Sequence, residues 1–174
     1  MGLIVLVGVA GSGKSTFTRR LAQMFSEIEV VSTDGIRREI TGSEEHVPGL
    51  DAKVHVMARQ RVAAVLRSGG WALIDATNLV PQQRRPYLQM ASRYGHPSYA
   101  LAFDLPLELV LVQNSSRQRV VPEAVIREMY AQRTLPTVAE GFTGVSAFKC
   151  HSQSQALLSR LVSLTQVAAG RSQT

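Results

Sequence analysis

Residues Gly8-Val9-Ala10-Gly11-Ser12-Gly13-Lys14-Ser15 constrain this chain more than any other stretch. They follow an apolar run, Leu3–Val7, and precede Thr16-Phe17-Thr18-Arg19-Arg20-Leu21, which reads as a helix. A G-x-x-x-x-G-K-[ST] pattern between a strand and a helix is a phosphate-binding loop. Its glycines let the backbone wrap with its N–H groups inward, at a helix N-terminus where negative charge is favoured. Gly8, Ala10, Gly11, Ser12 and Gly13 therefore form an anion cradle, with Thr16 in the first turn behind it. Lys14 is placed to reach the β- and γ-phosphates, and the Ser15 hydroxyl to ligate Mg²⁺. The stretch implies a nucleoside triphosphate ligand.

The chain has 174 residues, of which 45% are hydrophobic, enough for one domain with a well-buried core. No apolar run is long enough to span a bilayer, and the first strand begins at Leu3. The expectation is a cytoplasmic protein with no membrane association and no signal or transit segment. The single Cys150 permits no internal disulfide, and a buried structural thiol is expected. His46, His55, His96 and His151 are isolated and suggest no metal site. Net charge is +6, an excess that attracts polyanions such as nucleic acid. Sixteen of the 19 basic residues are arginine, a bias that suits phosphate handling. Codon usage in a GC-rich genome accounts for it as well, so charge supports a polyanionic partner only weakly.

Leu3–Val7, Ile28–Ser32, Trp71–Ile74 and Ser98–Phe103 read as strands, and residues 144–149 as a weaker fifth. Helices are expected from Lys14 to Phe25, from Leu50 to Leu66 and from Pro81 to Tyr94. Further helices run from Pro106 to Asn114, from Pro122 to Arg133, and through Leu157–Leu164 before a frayed end. Thr41–Gly49 is a polar loop. This alternation predicts an α/β fold, a parallel sheet of four or five strands flanked by helices. It forms a single domain over residues 1–174, and residues 106–135 form a small helical lid.

In an open α/β sheet, ligands bind beyond the carboxyl ends of the strands. Three strands end in chemically capable residues: Gly8–Ser15, Ser32-Thr33-Asp34 and Asp75-Ala76-Thr77-Asn78. Asp34 and Asp75 are thus expected beside the phosphates. Asp34 is either a general base or a helix N-cap, and if its segment is helical Arg37 lies on the same face. Asp75 either holds Mg²⁺ through water or positions Arg37 or an acceptor hydroxyl. Asn78 reads as a cap or turn residue. Arg117 and Arg119, between the two proline-headed helices, either close over the triphosphate or lie on a solvated loop.

Together, Gly8–Ser15, Val30-Val31-Ser32-Thr33-Asp34-Gly35-Ile36-Arg37, Leu73-Ile74-Asp75-Ala76-Thr77-Asn78-Leu79, Asn114-Ser115-Ser116-Arg117, Val121-Pro122-Glu123 and Glu140-Gly141-Phe142 resemble the kinase domain of the 5′-hydroxyl polynucleotide kinases. The resemblance spans roughly residues 2–150. It implies transfer of the ATP γ-phosphate to a 5′-OH end of RNA or DNA, with ATP and Mg²⁺ as cofactors. By it, Lys14 and Ser15 match the phosphate and Mg²⁺ contacts and Asp34 the general base. Arg37 matches the residue gripping the acceptor end, Asp75 the acid supporting that grip, and Arg117 and Arg119 the lid arginines on the ATP phosphates. Family members carry arginine just before the lid asparagine, where this chain has Gln113, so Arg119 or Arg133 must compensate or the donor site is weaker. Kinases of small alcohols or nucleosides share the architecture and are the runner-up reading; a nucleotide-dependent switch is the third.

Overall fold

The computed structural model describes residues 1–44 and 47–159. Five strands form one sheet: β1 (Gly2–Val7), β2 (Ile28–Ser32), β3 (Trp71–Asp75), β4 (Ser98–Phe103) and β5 (Gly144–Phe148). Their order is β2-β3-β1-β4-β5, and every pairing is parallel. Parallel neighbours cannot be joined by tight turns, so each connection carries helices over a face. These are α1 (Lys14–Met24), α2 (Thr33–Thr41), α3 (Asp51–Arg67), α4 (Pro81–Arg93), α5 (Leu107–Ser115) and α6 (Glu123–Gln132), with a 3₁₀ turn at Val138–Glu140. Residues 151–159 are helical, and the remainder of the expected closing helix lies outside the described residues.

β1 lies at the centre and is covered on both faces, which is why its sequence is continuously apolar rather than alternating. Leu3, Val5 and Val7 point into a core with Val54, Ala58, Val62 and Leu66 of α3 and Tyr87, Leu88 and Ala91 of α4. Leu6 points the other way, onto Phe17 and Leu21 of α1, Phe148 and Leu158. A smaller third cluster, Val9, Leu79, Leu105, Val110 and Ile126, seats α5 and α6 beside the loop that follows β1. The sheet thus presents the ends of β1, β2 and β3 at one edge, the edge where the loop and both aspartates were expected.

One feature departs from the sequence reading. Cys150 is not buried: its Sγ lies 3.0 Å from Ser152 Oγ, and hydrogen bonds from Ser152 and the Gln153 backbone lower its pKa. Arg84, by contrast, is fully buried. Its Nε and a terminal nitrogen donate to the two Glu140 carboxylate oxygens at 2.8 and 2.6 Å, and its other terminal nitrogen donates to the carbonyls of Asn78 and Thr134. This forked pair ties α4 to the strand-end turn at Asn78 and to the segment leaving α6. Arg84→Ala would leave Glu140 and two carbonyls without their donor, and removing one partner of a buried pair costs about 3–5 kcal/mol. Urea denaturation should show that loss for Arg84→Ala, and a substantially smaller loss for the apolar double replacement Arg84→Met with Glu140→Met.

Candidate active site at the strand ends

The phosphate loop takes the shape its glycines permit. Gly13 is the N-cap of α1 at φ 92°, with no side chain capping the helix, so the first N–H groups of α1 are open to an anion. A side chain there would be strained, and its Cβ would fall 2.8 Å from His151 Cε1. Ser12 Oγ is buried and has no hydrogen-bond partner, a donor in the cradle wall with the chemistry to meet a phosphate oxygen. Lys14 Nζ donates to the carbonyls of Gly8 and Val9 at 2.7 and 2.8 Å. Burial pushes its pKa down to about 8, opposed by the Asp75 and Asp34 charges and reinforced by Arg117. An ammonium so desolvated, beside open helix N–H groups and an unpartnered hydroxyl, fits a polyphosphate.

Asp75 closes β3 and is buried. Burial raises its pKa, while chiefly the nearby Lys14 charge and then the Ser15 hydroxyl pull it back. The carboxylate therefore stands by Ser15, and these two oxygen donors are the side chains able to hold a hard cation, directly or through water.

Asp34 and Arg37 sit on α2. Its N-cap is Ser32, whose hydroxyl accepts from the Gly35 N–H at 3.2 Å. Asp34 is therefore not the cap, and its half-exposed carboxylate faces other partners. Arg37 donates to Asp34 Oδ1 at 2.6 Å and to Asp51 Oδ1, at the start of α3, at 3.1 Å. The support that the resemblance assigned to Asp75 thus falls to Asp51, a residue sequence reading missed. Nothing in the sequence marks Asp51: it belongs to the polar opening of a helix and meets Arg37 only because α2 and α3 pack together.

The connection between α5 and α6 is closed by one amide. Asn114 Nδ2 donates to the Val121 carbonyl at 2.8 Å, and its Oδ1 accepts from the Val121 N–H at 3.0 Å. Arg117 and Arg119 lie in the loop so formed. Arg117 is close enough to depress Lys14, and Arg119 stands 3.8 Å from Asp34 Oδ2. Arg133 cannot stand in for the arginine absent at Gln113. It is held by Asp104 at 3.0 Å and lies 3.4 Å over the Tyr130 ring. Gln113 instead hydrogen-bonds the His151 ring, so His151 joins the lid helix to the loop; a lone histidine after a weak strand carried no signal of this.

A buried lysine with a depressed pKa has a definite effect on stability. Its folded pKa lies below the unfolded value of 10.5, so between those values the unfolded chain binds the extra proton and stability rises with pH. Below pH 8 the cost of the buried charge is fully present. Relative to Lys14→Met, the wild-type protein should therefore gain stability between about pH 8 and 10.5, by on the order of 3 kcal/mol. Urea titrations of both proteins across that range measure it, and a constant difference would mean that Lys14 is not desolvated.

Comparison with known proteins places this arrangement. L-seryl-tRNA(Sec) kinase of Methanococcus maripaludis is 25% identical over 138 residues, 77% of this chain and 53% of that protein. The bifunctional polynucleotide phosphatase/kinase of Schizosaccharomyces pombe is 24% identical over 155 residues, 85% of this chain and 34% of that protein. A chain of the Pnkp1/Rnl/Hen1 RNA repair complex superposes with a TM-score of 0.65 at 25% identity, over 75% of this chain and 43% of its own length. The chain thus spans about half the length of the first relative and a third of the second. A family model described as an AAA domain, AAA_33, matches residues 3–136. With the phosphate loop, the parallel sheet and the acid at the end of β3 all inside or bordering that match, the chain belongs to this family, as a P-loop kinase domain.

Proposed function

We propose that this chain transfers the γ-phosphate of ATP to the 5′-hydroxyl end of an RNA or DNA strand. The domain is that of an ATP-dependent phosphotransferase, and P-loop kinases generally use ATP with Mg²⁺. The observation that carries the acceptor assignment is the Asp34–Arg37 pair, a carboxylate and a guanidinium 2.6 Å apart and within the electrostatic reach of Lys14. An enzyme acting on a hydroxyl that neighbours a phosphate needs both groups, one for the proton and one for the charge. The names of the two relatives, a kinase acting on a tRNA-borne serine and a polynucleotide phosphatase/kinase, support an acceptor hydroxyl carried by nucleic acid.

In this reading Asp34 accepts the proton as the acceptor oxygen bonds to the γ-phosphorus, and the bond to the β-phosphate oxygen breaks to leave ADP. Lys14, the loop N–H groups of Gly8–Ser15 and the first turn of α1 with Thr16 hold the donor phosphates. Arg117 adds charge over them. Ser15, backed by Asp75, holds Mg²⁺, whose chemistry is to neutralise charge on the bridging and transferred oxygens. Arg37 grips the phosphate next to the acceptor hydroxyl. Arg119, expected on the donor phosphates, lies nearer the base and bears on both halves of the site.

The test is transfer of label from γ-labelled ATP to 5′-OH RNA and DNA oligonucleotides, with nucleosides and small alcohols assayed alongside. Asp34→Asn should lower kcat about 10²-fold or more with nearly unchanged nucleotide affinity, because the amide accepts no proton and the helix keeps its Ser32 cap. Arg37→Ala should raise the oligonucleotide KM roughly ten- to a hundredfold, the loss of a charge-assisted contact, and spare that of ATP. Arg37→Lys should recover only part, since an ammonium lacks the fork. A free nucleoside or small alcohol that outperforms every 5′-OH oligonucleotide would overturn the acceptor and leave a small-molecule kinase.

A further inference from the structure

The formal charge of +6 is not spread over the molecule. α3 and α4 together carry seven basic residues, Lys53, Arg59, Arg61, Arg67, Arg84, Arg85 and Arg93, against one acid, Asp51, while the rest of the chain balances twelve against twelve. Arg61 is paired with Glu39 and Arg84 with Glu140. Arg59, Arg67, Arg85 and Arg93 have no carboxylate partner among the described residues. The whole excess therefore resides on two neighbouring helices, and most of it is uncompensated.

The two helices also form a groove. Arg59 of α3 and Pro86, Gln89, Met90 and Arg93 of α4 line a depression of about 270 Å³. An arginine stands on each side of an apolar floor made by Pro86 and Met90. The groove shares α3 with the site, since Asp51 at the head of that helix holds Arg37. Arg59 is eight residues from Asp51, about 12 Å along the helix.

We infer that the α3–α4 groove is a binding track for single-stranded nucleic acid, in which Arg59 and Arg93 hold backbone phosphates beyond the terminal nucleotide of the acceptor strand. The inference deepens the polynucleotide reading of the site and rests on it for the direction of the strand. Guanidinium groups match phosphate as forks, the Pro86–Met90 floor offers a surface for a sugar or base, and Gln89 is the one neutral polar side chain lining the groove. Binding is therefore expected to be insensitive to sequence and sensitive to salt.

The experiment measures binding apart from transfer. Fluorescence anisotropy of a 5′-OH trinucleotide and a 5′-OH dodecamer, without ATP, is followed over a salt series for wild type, Arg59→Ala with Arg93→Ala, the corresponding double lysine variant, and Arg127→Ala as a charge control on α6. The alanine pair should lower the slope of log affinity against log salt for the dodecamer by about 1.4, roughly 0.7 for each lost phosphate contact on a single strand. It should leave trinucleotide binding, and kcat on the trinucleotide, unchanged. The lysine pair should keep most of the slope, and Arg127→Ala should behave as wild type. An unchanged slope in the alanine pair, an equal loss in Arg127→Ala, or no dodecamer binding by the wild type overturns the track. The two readings fail separately. Salt-dependent binding through Arg59 and Arg93 without label transfer to any 5′-OH end keeps the track and removes the kinase acceptor. Transfer indifferent to Arg59 and Arg93 does the reverse.

Discussion

The site depends on one buried charge. Lys14 is held almost entirely out of water at the end of the central strand, with two backbone carbonyls for hydrogen-bond partners. Such burial is unfavourable for an ammonium, and the fold tolerates it because Asp75 and Asp34 lie close enough to offset part of the cost. The same desolvation makes the charge effective. In a low-dielectric setting an ammonium interacts with phosphate far more strongly than it would at the surface, and it is already oriented before any ligand arrives. Stability and binding are opposed at this residue, as expected where a fold accommodates strain or unpaired charge for function.

The acids around it divide their work by depth. Asp75 is buried at the end of β3 and shares its environment with Ser15 and Lys14. Asp34 is half exposed on α2 and paired with arginines from two directions, its own helix and the α5–α6 connection. Asp51 takes the other nitrogen of Arg37, which orients the guanidinium plane without requiring Asp34 to do so alone.

Much of this was legible in the sequence, for identifiable reasons. The loop is a contiguous motif whose residue types follow from phosphate geometry, and the strands are short apolar runs bounded by turn residues, so both are local signals. The placement of Asp34 and Asp75 followed from topology alone, because parallel strands put their carboxyl ends on one edge. What was not legible is long-range. Asp51 meets Arg37 across a helix pair, Arg84 meets Glu140 over 56 residues, and His151 meets Gln113 over 38. Such contacts are set by packing, and a charged residue on a helix carries no mark of whether it faces solvent or a partner. Arg84 and Arg85 are adjacent and chemically identical, yet Arg84 is wholly buried and Arg85 is exposed. The resemblance misassigned the support of Arg37 for the same reason: a motif fixes residue types, not which carboxylate the guanidinium reaches.

The small third core gives the α5–α6 pair an independence that the other helices lack. α1, α3 and α4 bury large side chains directly against the sheet, whereas α5 and α6 rest on Val9, Leu79, Leu105, Val110 and Ile126 beyond the strand ends. Val112, Val120 and Val125 of this region remain exposed. A unit with few buried apolar contacts opens at lower free energy than the body it sits on. Its fixed points are polar and specific: Asn114 closing the arginine-bearing loop, Tyr130 Oη donating to the Leu105 carbonyl, Arg133 on Asp104, and Gln113 on His151. Directional bonds of this kind hold one geometry closely but are exchanged for water at little net cost. Arg117 and Arg119 are therefore carried between two helices that rest on their own small core and these polar bonds, whereas Lys14, Asp34 and Asp75 sit at the sheet's edge or on α1 and α2 beside it.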